Sequence, residues 1–91
     1  MNNSKKISLM MKALGDENRV MIVKMLSSGE LCACKILEEF DISQSTLSYH
    51  MKILCDSGLV FSRRDGKWMH YSLVNEKFKE LLSFLNSLFK G

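Results

Sequence analysis

At 91 residues the chain is sized for one domain, near the small end of what builds a core alone. Hydrophobic residues make up 46% and charged residues 25%, the balance of an ordinary globular protein, and no apolar run approaches transmembrane length. A formal net charge of +3 is only mildly basic, so total charge does not by itself imply nucleic acid, and the placement of the charges carries more.

The polar start, Met1 to Lys6, is followed by no apolar signal core, so no secretory leader is expected. From Lys5 to Leu14, Ile7, Met10, Met11 and Leu14 recur at i, i+3, i+4 and i+7, the spacing of one helix face. Gly15 ends that helix, and Asp16 is a favourable N-cap for the next. The second helix carries Val20, Ile22, Val23, Met25 and Leu26 on more than one side, so it is expected to be central; Ser28-Gly29 stops it. A third helix is expected over Leu31 to Glu39, with Leu31, Cys34 and Leu37 on one face. After the short turn Phe40-Asp41-Ile42, Ser43 is a favourable N-cap for a fourth helix over about Gln44 to Asp56, with Gly58 as its C′ residue. Two short helices across so tight a turn fit a helix-turn-helix.

Two strand-like runs follow, Leu59 to Arg64 and Lys67 to Leu73, with the hairpin signal Asp65-Gly66 between them. Met69, Tyr71 and Leu73 alternate with Trp68, His70 and Ser72, which turns one face inward. A last helix over about Asn75 to Phe89 has Phe78, Leu81, Leu82, Leu85 and Phe89 at helical spacing. The expected order is α-α-α-α-β-β-α: a mainly α fold with a small β-hairpin wing, a winged helix-turn-helix. With no repeats, prolines or linker, residues 1–91 are expected to form one domain. Apolar stripes on both terminal helices of so short a chain call for a partner subunit.

On a wheel of roughly 100° per residue, Leu47, Met51 and Leu54 fall on one face of the fourth helix, toward the core. Ser45, Ser48, Tyr49 and Lys52 fall on the opposite face, with Gln44 at its exposed start, and no carboxylate among them. Amides and hydroxyls suit base edges in a major groove, and lysine suits phosphate. Arg63, Arg64 and Lys67 surround the hairpin tip, opposed only by Asp65, as suits a wing lying on the DNA backbone or minor groove. Singly, these features fit a solvated helix face and a charged turn. Together, in this order and spacing, they point to double-stranded DNA.

The same residues resemble the ArsR/SmtB family of winged-helix metalloregulatory repressors. Lys12 to Arg19, KALGDENR, resembles the family's opening motif. Ser43 to Leu54, SQSTLSYHMKIL, closely resembles its recognition helix. Ser57-Gly58-Leu59-Val60 and then Arg64 to Tyr71, RDGKWMHY, resemble its wing. The resemblance covers nearly the whole chain. It implies a homodimer, built largely from the first and last helices, that binds an imperfect inverted repeat and blocks transcription in the cytoplasm. On that resemblance the DNA-contacting set is Ser43, Gln44, Ser45, Thr46, Ser48, Tyr49 and Lys52, with Arg63, Arg64 and Lys67 from the wing.

Glu30-Leu31-Cys32-Ala33-Cys34 resembles the motif of the arsenic- and antimony-responsive branch of this family. The resemblance implies no permanently bound cofactor and As(III) or Sb(III) as inducer, held by the thiolates of Cys32 and Cys34. Soft ions prefer thiolate, and a helix N-terminus lowers thiol pKa, although Glu30 opposes that lowering. Residues two apart on a regular helix point roughly 200° away from each other. For the same reason a disulfide between them is not expected, and a reducing compartment fits best. Both sulfurs would reach one ion only if the first helical turn distorts, and the recognition helix is expected to pack directly on that helix. A third cysteine often lies three residues after the second; here that position is Leu37, which leaves Cys55 or a small thiol or hydroxide from solution as third ligand. From the residues alone, Cys32 and Cys34 also read as two small apolar residues with Cys34 in the core, and Cys55 as a partly buried structural thiol.

His50, on the buried flank of the recognition helix, and His70, in the wing, are expected to be structural. Some relatives carry Asp and His ligands on the last helix, which has no histidine here, so the resemblance implies no zinc site there. No phosphate loop, HExxH or nucleophile elbow points to an enzyme. The readings that remain beside metalloid sensing are a DNA-binding repressor whose thiols respond to oxidants, persulfide, cadmium or lead, and a helical dimerisation module without DNA.

Overall fold

Residues 3–89 are described by a computed structural model; Met1, Asn2, Lys90 and Gly91, at the ends of the expected domain, lie outside the described residues. Helix α1 spans Ser4–Ala13 and α2 spans Glu17–Leu26. Between them Asp16 has extended backbone, and its carboxylate accepts the Asn18 and Arg19 N–H groups, the expected cap. Strand β1 is Leu31–Cys32, helix α3 is Ala33–Glu39 and helix α4 is Gln44–Asp56. Strands β2, Val60–Asp65, and β3, Trp68–Leu73, form the hairpin, and α5 spans Asn75–Ser87. The fold is mainly helical with a winged hairpin, as expected.

One element was absent from the sequence pattern. Leu31 and Cys32 are a two-residue strand and not the first turn of a helix; they pair antiparallel with β3, Leu31 opposite Tyr71 and Cys32 opposite His70. The sheet is therefore three-stranded, in the order β1-β3-β2. Two residues cannot display an alternation, so only the partner strand reveals them. With α3 starting two residues later than expected, Ala33 and Ile36 form its buried face, and Leu37 is partly buried.

The hairpin closes one residue further along than expected. Asp65 pairs with Trp68, which leaves Gly66-Lys67 as the loop. Gly66 has φ +68°, and no residue other than glycine has positive φ among the described residues. A glycine at the first of two loop positions followed by a residue with negative φ is the type II′ arrangement, which matches the strand twist.

The core gathers Met10, Ile22, Leu26, Ile36, Leu47, Met51, Leu54 and Leu59, all fully buried. Helix α4 reaches it through Leu47, Met51 and Leu54, as the wheel predicts. Helix α1 departs from expectation, because its buried face is Ile7, Met10 and Ala13, whereas Met11 is 40% exposed. On α5 only Leu81 is buried; Leu82 and Phe89 remain 58% and 78% exposed. Two helix faces are thus apolar beyond what one chain can cover. No helix among the described residues is long and apolar enough to cross a membrane.

Leu54 is fully buried where α4 meets the rest of the core. Leu54→Ala is expected to destabilise the fold by about 2–5 kcal/mol through lost burial and a residual cavity. Urea unfolding at fixed protein concentration reads this; a loss of less than about 1 kcal/mol would show that the site collapses around the smaller side chain.

Candidate nucleic-acid interface and thiol site

The exposed start of α4 is built from hydroxyls that order one another. Ser43 Oγ accepts the Thr46 N–H at 3.1 Å, donates to Thr46 Oγ1 at 2.9 Å and lies 3.1 Å from Ser45 Oγ. Gln44, Ser45, Ser48 and Tyr49 all stand exposed along the outer face. Lys52 Nζ meets the Asp56 carboxylate at 3.1 Å, one helical turn on. Such an exposed pair is weak and yields readily to a stronger anion.

The inner face carries a contact that sequence reasoning missed. Arg19 of α2 is buried; its Nε donates to the Ala13 carbonyl at 2.7 Å, and its Nη1 lies 3.0 Å from His50 Nδ1. A guanidinium offers only donors, so His50 accepts this bond. The Arg19 backbone N–H, with the Arg19 charge, also holds the Asp16 carboxyl below the usual carboxylate range. A signal was present: Arg19 stands at i, i+3 and i+7 with Ile22 and Leu26, on the one stripe of α2 that is buried. His50 is held in the packing, as expected.

In the wing, Arg64 and Lys67 are exposed at the tip, without an ion pair among the described residues. Arg63 differs. Its Nε and Nη2 each donate to one oxygen of Glu30 at 2.7 Å, and its Nη1 lies 3.9 Å from Asp65. These hydrogen bonds hold the Glu30 carboxyl below its usual range and raise the Arg63 guanidinium. His70 lies 4.0 Å from the same Asp65.

Cys32 and Cys34 come together differently from a helical pair. Cys32 is the N-cap of α3, with extended backbone, and its Sγ accepts the Cys34 N–H at 3.1 Å. Because Cys32 is not helical, the two side chains do not diverge; they form a disulfide across a Cα–Cα distance of 5.3 Å. This corrects two expectations, that no bond would form between them and that both sulfurs would meet only on distortion of the first turn. Cys34 is half-buried and not in the core.

Cys55 is not brought to this pair. It sits on α4 beside Ser62 and Tyr71, which pair across the sheet with each other and with Leu31. Cys32 lies in the next row, opposite His70, and successive residues of a strand face opposite sides. The sheet therefore stands between them. Burial raises the Cys55 pKa, against a lowering by its Ser62 hydrogen bond. Among the described residues no three His, Cys, Asp or Glu side chains are gathered as a metal site. Helix α4 packs chiefly on α2, β2 and α1, whereas the principal neighbours of α3 are β1 and β3. The expected direct packing of the recognition helix on α3 is thus secondary to the contact of α3 with the sheet.

Two helices across a tight turn, an exposed polar helix face and a basic hairpin define a winged helix-turn-helix DNA-binding protein. The family described as bacterial regulatory protein, arsR family, matches residues 16–62. The chain is 45% identical over 82 residues to an arsenical resistance operon repressor of Staphylococcus aureus, covering 90% of this chain and 79% of that one. It is 37% identical over 81 residues to a cadmium resistance regulatory protein CadC homolog of the same species, covering 88% and 67%. Among solved structures, HlyU from Vibrio cholerae superposes with a TM-score of 0.79 at 32% identity, covering 97% and 96%. The chain belongs to the arsR family of bacterial regulatory proteins. It is a transcriptional regulator and not an enzyme.

The raised pKa of Cys55 has a kinetic consequence, because the thiolate is the nucleophile. Alkylation of Cys55 by iodoacetamide is expected to rise at higher pH in the folded protein than in urea, and to be several-fold slower at pH 8. Peptide mass spectrometry reads both; coincident pH profiles would contradict burial as the cause.

Proposed function

We propose that the chain is a homodimeric repressor that binds an inverted-repeat operator and leaves it when trivalent arsenic or antimony engages Cys32 and Cys34. The observation that carries this reading is the convergence of the two sulfurs at the start of α3. Reduced, they offer two adjacent thiolates to one soft ion. The third position falls to a small thiol or hydroxide from solution, since Leu37 offers no donor and Cys55 lies across the sheet. An arsenical repressor 45% identical to the chain supports the choice of ion.

Ser43, Gln44, Ser45, Thr46, Ser48, Tyr49 and Lys52 are the proposed major-groove set, and Arg63, Arg64 and Lys67 the proposed wing contacts. Uncovered Leu9 and Met11 on α1 and Leu82, Leu85, Leu88 and Phe89 at the chain's far end favour a second copy as partner. Twofold symmetry then sets two α4 helices about one turn of DNA apart, and DNA as target implies the cytoplasm. The whole chain acts as one DNA-binding and sensing domain.

A second reading rests on the disulfide: the same repressor with the pair responding to oxidants or persulfide. The cadmium-resistance relative keeps cadmium or lead in view as well.

Fluorescence anisotropy of the chain's own promoter DNA separates these readings. Arsenite or antimonite is expected to release the reduced protein at lower concentration than cadmium or zinc. Cys32→Ser and Cys34→Ser are expected to keep DNA binding and lose the response. Release by zinc but not arsenite would overturn the metalloid assignment. Release by oxidant alone would establish the second reading. X-ray absorption on the loaded protein counts the sulfur ligands directly.

A further inference from the structure

Arg63 is the one basic residue of the wing whose donors are already occupied by a carboxylate among the described residues in a two-bond fork. The fork that grips Glu30 is the same one that grips a phosphate, and a guanidinium edge can serve only one such anion at a time. Glu30 stands two residues before Cys32, at the end of the connection that turns at Gly29 with φ +136°. Across the sheet, Cys32 faces His70, and His70 faces Arg63. The thiol pair and the wing arginine therefore share one row of a three-stranded sheet, about 10 Å apart at the usual strand spacing.

We propose that Glu30 is a positioning residue that competes with DNA phosphate for Arg63, and that this ion pair carries the state of the thiol pair to the wing. The proposal rests on the reading of Cys32 and Cys34 as the sensor. When the sulfurs are joined, Cys32 is fixed between β1 and α3, β1 stays on β3, and Glu30 is held over Arg63. When they are free, a strand of two residues has little to keep it in place, and Arg63 can turn to the backbone. With β1 seated, Glu30 both withdraws a cation from the DNA and sets an anion beside it. An exposed ion pair is weak enough for phosphate to displace once its geometry loosens, which a switch requires.

The test compares wild type, Glu30→Gln, Arg63→Gln and the double variant, each reduced and each closed with diamide. Diamide takes up the two thiol hydrogens, the Cys32–Cys34 bond forms, and the reagent leaves as the hydrazine. Free-thiol titration verifies closure. Affinity for promoter DNA is then read against KCl concentration. For the closed protein, Glu30→Gln is expected to bind roughly two- to tenfold more tightly than wild type. Its log–log salt slope should be steeper by about 0.9, the increment for one further phosphate. For the reduced protein the two slopes should coincide. Arg63→Gln should have a shallower slope than wild type when reduced and the wild-type slope when closed, and adding Glu30→Gln to it should restore nothing.

If closure changes the affinity of Glu30→Gln by the same factor as wild type, with equal slopes, the latch is overturned while the sensor stands. If closure leaves wild-type affinity unchanged, the latch and the oxidant reading are overturned, and release by arsenite alone decides the metalloid reading. A gain from Glu30→Gln that persists without Arg63 would reduce Glu30 to general repulsion and also overturn the proposal.

Discussion

A buried guanidinium fixes the geometry of the reading head. Arg19 lies inside the fold with a side chain made only of donors, so those donors must be met. They are met by the Ala13 carbonyl at the end of α1 and by His50 in the middle of α4. The Ala13 oxygen is one of the carbonyls that a helix leaves without an internal partner, so one side chain closes α1 and anchors α4 together. Asp16 fixes the same residue from its backbone while capping α2. Three helices are thereby held in one relative orientation. Because α1 also carries part of the uncovered apolar surface, that surface and α4 are tied together through Arg19.

What was legible in the sequence follows from how each element is specified. Helix α4 announced itself through Ser43, the Leu47–Met51–Leu54 stripe and Gly58, because caps and periodicity are local signals. The hairpin was legible from strand alternation, but its turn was displaced by one residue, since Asp-Gly and Gly-Lys are both loop pairs and strand register decides between them. Strand β1 was illegible because two residues have no period and are defined by β3, some forty positions away. The apolar stripes of α1 and α5 were legible as stripes. How much of each a single chain buries was not, because that depends on which neighbours exist: Met11 and Leu82 have the pattern of core residues but no cover.

The thiol pair illustrates how one unforeseen strand changes the chemistry expected of a motif. Treated as helical, Cys32 and Cys34 diverge, and a ligand must do work on the helix to gather them. With Cys32 extended at the N-cap, the gathering is already done by the backbone. An N-cap is also where the first N–H groups of a helix seek an acceptor, and here a sulfur serves one of them, at Cys34. A change in what that sulfur is bonded to alters the cap, and so acts on α3 and β1 at the same point.

From that point the connections are unequal. Helix α3 meets the sheet through β1 and β3, whereas α4 rests mainly on α2, β2 and α1. The α2 contact is further stiffened by Arg19 and His50. A disturbance at the thiols therefore reaches β1 and β3 first, and α4 only through β2 or the shared core. Rigid elements transmit displacement only as a whole, while a two-residue strand can detach by itself. If Cys32 and Cys34 are the sensor proposed above, their shortest route runs through β1 to the hairpin and not through the exposed face of α4. Such a device would lower affinity on signal while leaving the sequence that is read unchanged.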